Sequence, residues 1–259
     1  MLTAYSKQFD WQFDGALLAA RYAYMPNRLN YCGGDNNSQL FAYASQQESD
    51  AGLREMLEEF ATMYPYLRLI AEANQILDPF DYRVVEAYWL GNELLNKVSM
   101  KDFYRHLIDK QKIKKQLKPE LAEKVFGKLT LGAKPHHSWH VLGIPKRTGN
   151  YPVAHTIKTM DECRIAWGRV KNEVKTLKDL SEKIIVEYQP LKIMSNELVL
   201  GGLEDREVWL ASNDKSFVPN LAVGDYVSIH WGWVCDLLTD RQKNNLEKWT
   251  KYNLKLFSV

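Results

Sequence analysis

Apolar positions recur every three to four residues from the start of the chain to about residue 130, then give way to short β-branched runs. Asp50 stands where a helix cap would, ahead of Leu53, Met56, Leu57 and Phe60, and Pro65 is expected to interrupt or bend that segment. A second helical segment is expected after Asp78-Pro79-Phe80-Asp81, with Val84, Val85, Tyr88, Trp89, Leu94 and Leu95 on one broad apolar face. Both have the pattern of bundle helices with one buried face. Residues 101–124 carry eight Lys or Arg against four Asp or Glu. They are expected to form the solvated face of helices ending at Pro119, the alternative being a docking surface for an acidic partner.

Beyond about residue 127, runs such as Ile184 to Val186, Leu198 to Leu200, Val208 to Leu210 and Tyr226 to His230 are divided by turn signals. Those signals are Ser195-Asn196, Gly201-Gly202, Ser212-Asn213-Asp214 and Val223-Gly224-Asp225. This is the texture of a small antiparallel barrel or sandwich. Thr239-Asp240-Arg241-Gln242 then reads as a capping box opening a final helix with Leu246, Trp249 and Leu256 along its apolar stripe. The expected fold class is α+β, in three parts. A helical domain spans 1–127, a histidine-rich connecting segment 128–159, and a small antiparallel β-barrel with a carboxy-terminal helix 160–259.

Composition narrows the class. The 259 residues are 46% hydrophobic and 25% charged with a formal charge of +2, which excludes global disorder and gives no electrostatic reason to expect nucleic acid as a partner. No apolar run reaches the roughly 18–20 residues of a membrane span, and the amino terminus lacks the basic start and apolar stretch of a signal peptide. Three widely separated cysteines, Cys32, Cys163 and Cys235, fit a reducing cytoplasm better than a disulfide scaffold. Any cysteine that matters is expected to matter as a thiolate.

Two stretches stand out for chemistry. Cys163 lies in Asp161-Glu162-Cys163-Arg164-Ile165-Ala166-Trp167-Gly168-Arg169-Val170, at the threshold of the β-rich region. A cysteine among apolar residues is by default packing. Gly224-Asp225-Tyr226-Val227-Ser228-Ile229-His230-Trp231-Gly232-Trp233 reads as a turn and a strand with His230 at its end, where a ring nitrogen is expected to point outward. Together these stretches resemble the HypC/HupF family of nickel–iron hydrogenase maturation chaperones. Cys163, Gly168, Arg169 and Val170 stand in the places of that family's opening pattern. Gly201-Gly202 with Arg206-Glu207-Val208 is similar to its mid-barrel turn and strand, and the Gly-Asp-Tyr-Val strand ending in His-x-Gly is matched from Gly224 to Gly232.

The resemblance, over about residues 160–250, implies a β-barrel that holds iron through the cysteine thiolate with the histidine nearby. It also implies partners: the hydrogenase assembly scaffold or the hydrogenase large subunit. On this basis Cys163 is the expected thiolate ligand and His230 a second ligand or proton partner.

His136, His137 and His140, in Pro135-His136-His137-Ser138-Trp139-His140-Val141, are further candidate metal ligands. On a helix His136 and His140 would share a face; the flanking Pro135 and Pro145 favour a strand or loop, on which His136 and His140 would share a face and His137 would oppose them. In the amino-terminal half, Tyr24 to Asn36 reads as a loop following a helix. There Cys32 beside Gly33-Gly34 permits close approach of a ligand, and Arg28 is a candidate anion contact. Cys235 is read as packing.

The leading expectation is metallocentre assembly or metal carriage with iron. One rival is an enzyme enclosing iron, with haem ranked behind, that acts on a small ligand. Another is a nucleic-acid-binding barrel using Trp209, Trp231 and Trp233 as stacking platforms.

Overall fold

Asp14 caps the first helix, α1 (Gly15–Arg28), its carboxylate accepting from Leu17 N at 2.9 Å. Leu17, Leu18, Ala20, Tyr22 and Tyr24 are buried around its whole circumference, so α1 is a central helix with protein on every side. On one side it packs against α2 (Asn37–Gln46), α3 (Ala51–Glu58) and α5 (Tyr82–Trp89). On the other it lies across two barrel strands. The computed structural model describes residues 14–145, 148–172, 175–177 and 181–258; the stretch read for a signal peptide falls outside the described residues up to Phe13.

Several local expectations hold in detail. Asp50 caps α3 through Leu53 N, and Leu53 and Leu57 are buried. Others are corrected. Pro65 does not break a helix; it is the third residue of α4 (Met63–Asn74), where a missing N–H leaves no intrahelical bond unmade. Pro119 does not end a helix but opens α9 (Pro119–Thr130), its fixed φ suiting the first helical position. Leu94 and Leu95 leave the face of α5 because Gly91, at φ +86°, turns the chain into a separate short helix, α6 (Leu94–Lys97). Between α6 and α9 lie α7 (Met100–Asp109) and the short α8 (Ile113–Gln116). The histidine segment is neither strand nor loop: it forms α10 (His137–Gly143), because the His136 ring caps it by accepting from Ser138 N at 3.2 Å.

After α11 (Ile157–Cys163) the chain enters the sheet. Strands β1 (Ala166–Val170), β3 (Glu182–Tyr188), β6 (Glu204–Ser212), β8 (Tyr226–His230) and β9 (Trp233–Leu238) pair in the circular order β1-β8-β9-β6-β3 and back to β1. The result is a closed five-stranded barrel, antiparallel except where Trp209 on β6 meets Trp233 on β9. Short strands β2 (Lys175–Thr176) and β7 (Lys215–Ser216) extend its edges. Leu198 to Leu200 is outside the barrel, in a hairpin of β4 (Leu191–Met194) and β5 (Glu197–Leu200). Its turn is Ser195-Asn196, both in the left-handed region. The capping box at Thr239 and Gln242 opens the last helix, α12 (Asp240–Phe257). The fold is therefore α+β, as the periodicity implies, and no helix among the described residues is long and apolar enough to cross a membrane.

The helices and the barrel share one apolar core. A single cluster of buried side chains runs from Ala16 through Trp89, Trp139 and Ile165 to Trp233 and Leu256. Strand β8 explains why. Its alternation Tyr-Val-Ser-Ile-His sends Val227 and Ile229 into the barrel and Ser228 and His230 outward, the pattern of a half-exposed strand. The outward face is nevertheless covered by α1: Tyr22 donates its hydroxyl to Ser228 Oγ at 2.8 Å, and Arg21 meets Asp236 on β9 at 3.0 Å.

Candidate metal centre

Three elements converge beneath α1 and α5. Helix α11 ends at Cys163, leaving carbonyls without intrahelical partners. The Glu162 carbonyl accepts from Trp231 N, in the β8–β9 turn, at 2.8 Å. The Cys163 carbonyl accepts from His137 Nε2, at the start of α10, at 2.9 Å. These two bonds bring the cysteine, the strand-end histidine and one histidine of the cluster together. The ligand atoms of His137, Cys163 and His230 all lie within 4.8 Å of one another. Bound to one tetrahedral ion they would stand about 3.5 Å apart, so closure needs only roughly 1 Å of side-chain adjustment.

The hydrogen bonds decide the tautomers. His230 Nδ1 lies 2.7 Å from the Tyr22 carbonyl, which can only accept, so Nδ1 carries the proton and Nε2 the lone pair. A ligating imidazole anchored through its other nitrogen to a backbone carbonyl is the usual support of a metal-bound histidine. His137 likewise donates through Nε2 to Cys163 O, while its Nδ1 lies 3.1 Å from the Tyr88 hydroxyl. An ion taken by His137 therefore displaces one of these two bonds. Burial, followed by the neighbouring His230, holds the pKa of His137 well below the usual imidazole value, which keeps the ring neutral and fit to ligate.

Aromatic rings close the site. Trp89 stands 4.5 Å from the His137 ring and 5.7 Å from that of His230, and stacks on Tyr22 at 5.3 Å. Cys163 is 3% exposed and His230 1%. His230 thus leaves the barrel on the outer face of its strand, but its ring is buried under α1 rather than presented to solvent as expected from the strand end. The sharp turn does follow it, with Trp231 and Gly232 both at positive φ, but α1 covers the outer face of the strand. A cavity of about 30 Å³ adjoins the three ligands and is also lined by Met63, His140 and Cys32.

The other candidates separate. His136 faces α12, its ring parallel to that of Trp249 at 6.2 Å, and its Nδ1 is held by Ser138; burial lowers its pKa to about 3. His140 lines the cavity but stands outside the triad, with its Nδ1 3.3 Å from the Tyr66 hydroxyl. Cys32, half-buried, lines the same cavity from the loop after α1. Arg28 is exposed and donates to the Tyr24 hydroxyl, making no contact with the site. Cys235 is buried, and burial pushes its thiol pKa well up, as packing requires. Nor do the three tryptophans make a stacking platform: Trp233 is 1% exposed, Lys183 covers Trp209 at 4.2 Å, and Trp231 packs on Tyr31.

Tyr22, Tyr88, Trp89 and Met63, which anchor or enclose the site, carry no local signature; their side chains read simply as the apolar faces of helices. A larger cleft of about 360 Å³ between α4 and α7, lined by Arg68, Arg105 and His106, contains none of the candidate ligands. No curated protein and no solved structure matches this chain. Residues 11–259, nearly the whole length, match one family, and the chain accordingly belongs to the family of unknown function DUF6390.

Proposed function

We propose that this protein binds one transition-metal ion through His137, Cys163 and His230 and acts in metallocentre assembly, with iron the first candidate metal. The observation that carries the reading is the convergence of one thiol and two imidazoles, from three separate elements, on a single buried point. A thiolate with two imidazoles suits iron, zinc or copper rather than magnesium or calcium. Three protein ligands leave a coordination position open, which a carrier needs if a recipient's ligands are to exchange in. The resemblance of residues 160–250 to hydrogenase maturation chaperones supplies the proposed partners, the assembly scaffold or the large subunit of a nickel–iron hydrogenase, and a cytoplasmic location goes with it.

A second reading draws on the burial of the site. Ligands only 1–6% exposed suit a resident metal as well as a travelling one, so an iron enzyme acting on a small ligand is the rival. The cavity limits that ligand's size: 30 Å³ is an order of magnitude below the roughly 300 Å³ at which pockets begin to hold drug-sized molecules, which argues against haem.

Titration of the purified chain with Fe²⁺ under anaerobic conditions, and with Co²⁺ as a spectroscopic probe, tests the site. One equivalent is expected to bind, with a thiolate-to-cobalt charge-transfer band. Cys163→Ala and His230→Ala are expected to lose it, while His136→Asn, which retains a capping side chain, keeps it. Binding by Cys163→Ala and His230→Ala at the wild-type level would sink the assignment.

A further inference from the structure

Five lysines stand within nine residues, Lys110, Lys112, Lys114, Lys115 and Lys118, with no acid among them. Without these five, the chain's 34 Lys and Arg fall to 29 against 32 Asp and Glu, a formal charge of −3 in place of +2. The basic character of the molecule is concentrated in one short stretch. The fold turns that stretch outward. Gln111 is buried, its side chain donating to the Thr62 carbonyl at 3.3 Å, and Ile113 of α8 is 1% exposed. All five lysines beside these anchors are exposed, and none forms an ion pair with another described residue. A solvated helix face ordinarily alternates the two signs of charge; this one has a single sign.

The run begins at the large cleft between α4 and α7. Lys110 lines that cleft, whose volume of about 360 Å³ lies within the range of pockets that hold a ligand or a large side chain. Its most buried lining residues are Leu69 and His106, 8% and 5% exposed, with Tyr64, Pro65 and Ala73 beside them. His106 Nε2 is buried without a hydrogen-bond partner among the described residues, so a residue of this lining keeps a polar atom that the chain itself does not satisfy. Around them, Glu72 is held by Arg68 at 3.2 Å, Asp102 lies 3.9 Å from Arg105, and Asp109 is exposed. A largely apolar pocket with a charged margin has the anatomy of a protein interface, in which one anchor side chain is buried at the centre and polar contacts surround it.

We infer that the cleft and the lysine run together form a docking surface for an acidic protein segment with an apolar anchor residue, the anchor entering the cleft and the flanking carboxylates meeting the lysines. Charge complementarity sets the sign of the partner. The carboxylates at the cleft decide its class. Glu72, Asp102 and Asp109 oppose a nucleic-acid backbone, which is charged at every nucleotide, whereas a peptide can carry its acids only where the lysines are. Nor does the run from Lys110 to Lys118 contain an aromatic ring or an arginine to stack on bases. The inference is independent of the metal-site reading, since none of the three converging ligands lines this cleft.

Fluorescence anisotropy of the full chain with a labelled synthetic peptide, glutamates flanking one tryptophan, tests the surface. The wild type is expected to bind it, about tenfold more weakly as salt rises from about 50 to 300 mM. Replacing the peptide's tryptophan by serine is expected to weaken binding about tenfold, through loss of the anchor. The combined change Lys112→Glu, Lys114→Glu and Lys115→Glu, all at exposed positions, is expected to weaken it about tenfold or more. Ala73→Trp, which fills the cleft, is expected to abolish the preference for the tryptophan peptide; should that variant fail to fold, the serine peptide on the wild type still tests the anchor. Absence of binding by the wild type, equal binding by the three-lysine variant, or no preference for tryptophan would each overturn the proposal. So would tighter binding of a single-stranded oligothymidylate of like charge, which would make the partner a nucleic acid.

Discussion

At the scale of single residues, the buried histidines of this protein divide by what their nitrogens touch. His230 turns one nitrogen to a backbone carbonyl and keeps a lone pair on the other; His136 spends its Nδ1 on capping a helix. His106, on α7, is buried against Tyr66 and Phe103 and is not one of the three converging residues. Burial, with a smaller effect from Lys110, lowers its pKa from 6.5 to about 3. The folded state thus keeps His106 neutral while the unfolded chain protonates it below pH 6.5. Stability from this group is present above pH 6.5 and is lost as pH falls towards 3. Between pH 7 and pH 5 the loss amounts to about 2 kcal/mol. Urea unfolding at the two values is expected to show it, and His106→Leu to flatten the difference by about that amount. A pH dependence unchanged in His106→Leu would contradict the assignment. The sequence singled out His137 and His230 as candidates, but it could not rank His137 above His136 and His140, because that ranking depends on which ring meets the end of α11.

At the scale of elements, local chemistry was read well wherever it acts locally. The caps at Asp50 and Thr239, the left-handed Ser195-Asn196 turn and the Tyr226 to His230 strand all depend on residues within a few positions of one another. Thr239→Ala removes a capping box at the start of α12 and is expected to cost about 1 kcal/mol in thermal or denaturant unfolding. The prolines misled for a physical reason: a proline that stops one helix and a proline that opens the next have the same sequence context, and only the path of the chain separates them. Gly91 has the larger expected effect. It adopts φ +86°, and a Cβ there would lie 2.0 Å from Trp249 Cδ1 on α12. Gly91→Ala therefore combines backbone strain with a forced shift of a core tryptophan. It is expected to cost more than 2 kcal/mol, visible as a fall in Tm well beyond that of Thr239→Ala.

At the scale of the molecule, the helices and barrel are joined by polar bonds as well as by the shared core. Arg21 and Asp236, both largely buried, join α1 to β9; burial raises the Asp236 pKa despite the arginine. Glu86 on α5 is nearly inaccessible and is held by Arg241 and Gln242 of α12. Removing one partner of a buried pair leaves a charge without its counterion, so Asp236→Ala is expected to cost about 3–5 kcal/mol. With one apolar cluster running through both parts, calorimetry of the full chain is expected to show a single cooperative transition, and two resolved transitions would contradict that. The sequence by itself determined the α+β class, the helical and barrel halves, the terminal helix and the short roster of residues able to bind a soft metal, because periodicity, caps, turns and side-chain chemistry are written within a few residues. Only the tertiary structure decided that His137, Cys163 and His230 meet, that His136 does not join them, and that Cys32 lines the same cavity. The triad joins residues up to 93 positions apart, and the bond from His230 to the Tyr22 carbonyl spans 208, because α1 buries the outer face of a strand whose own alternation marks it as exposed.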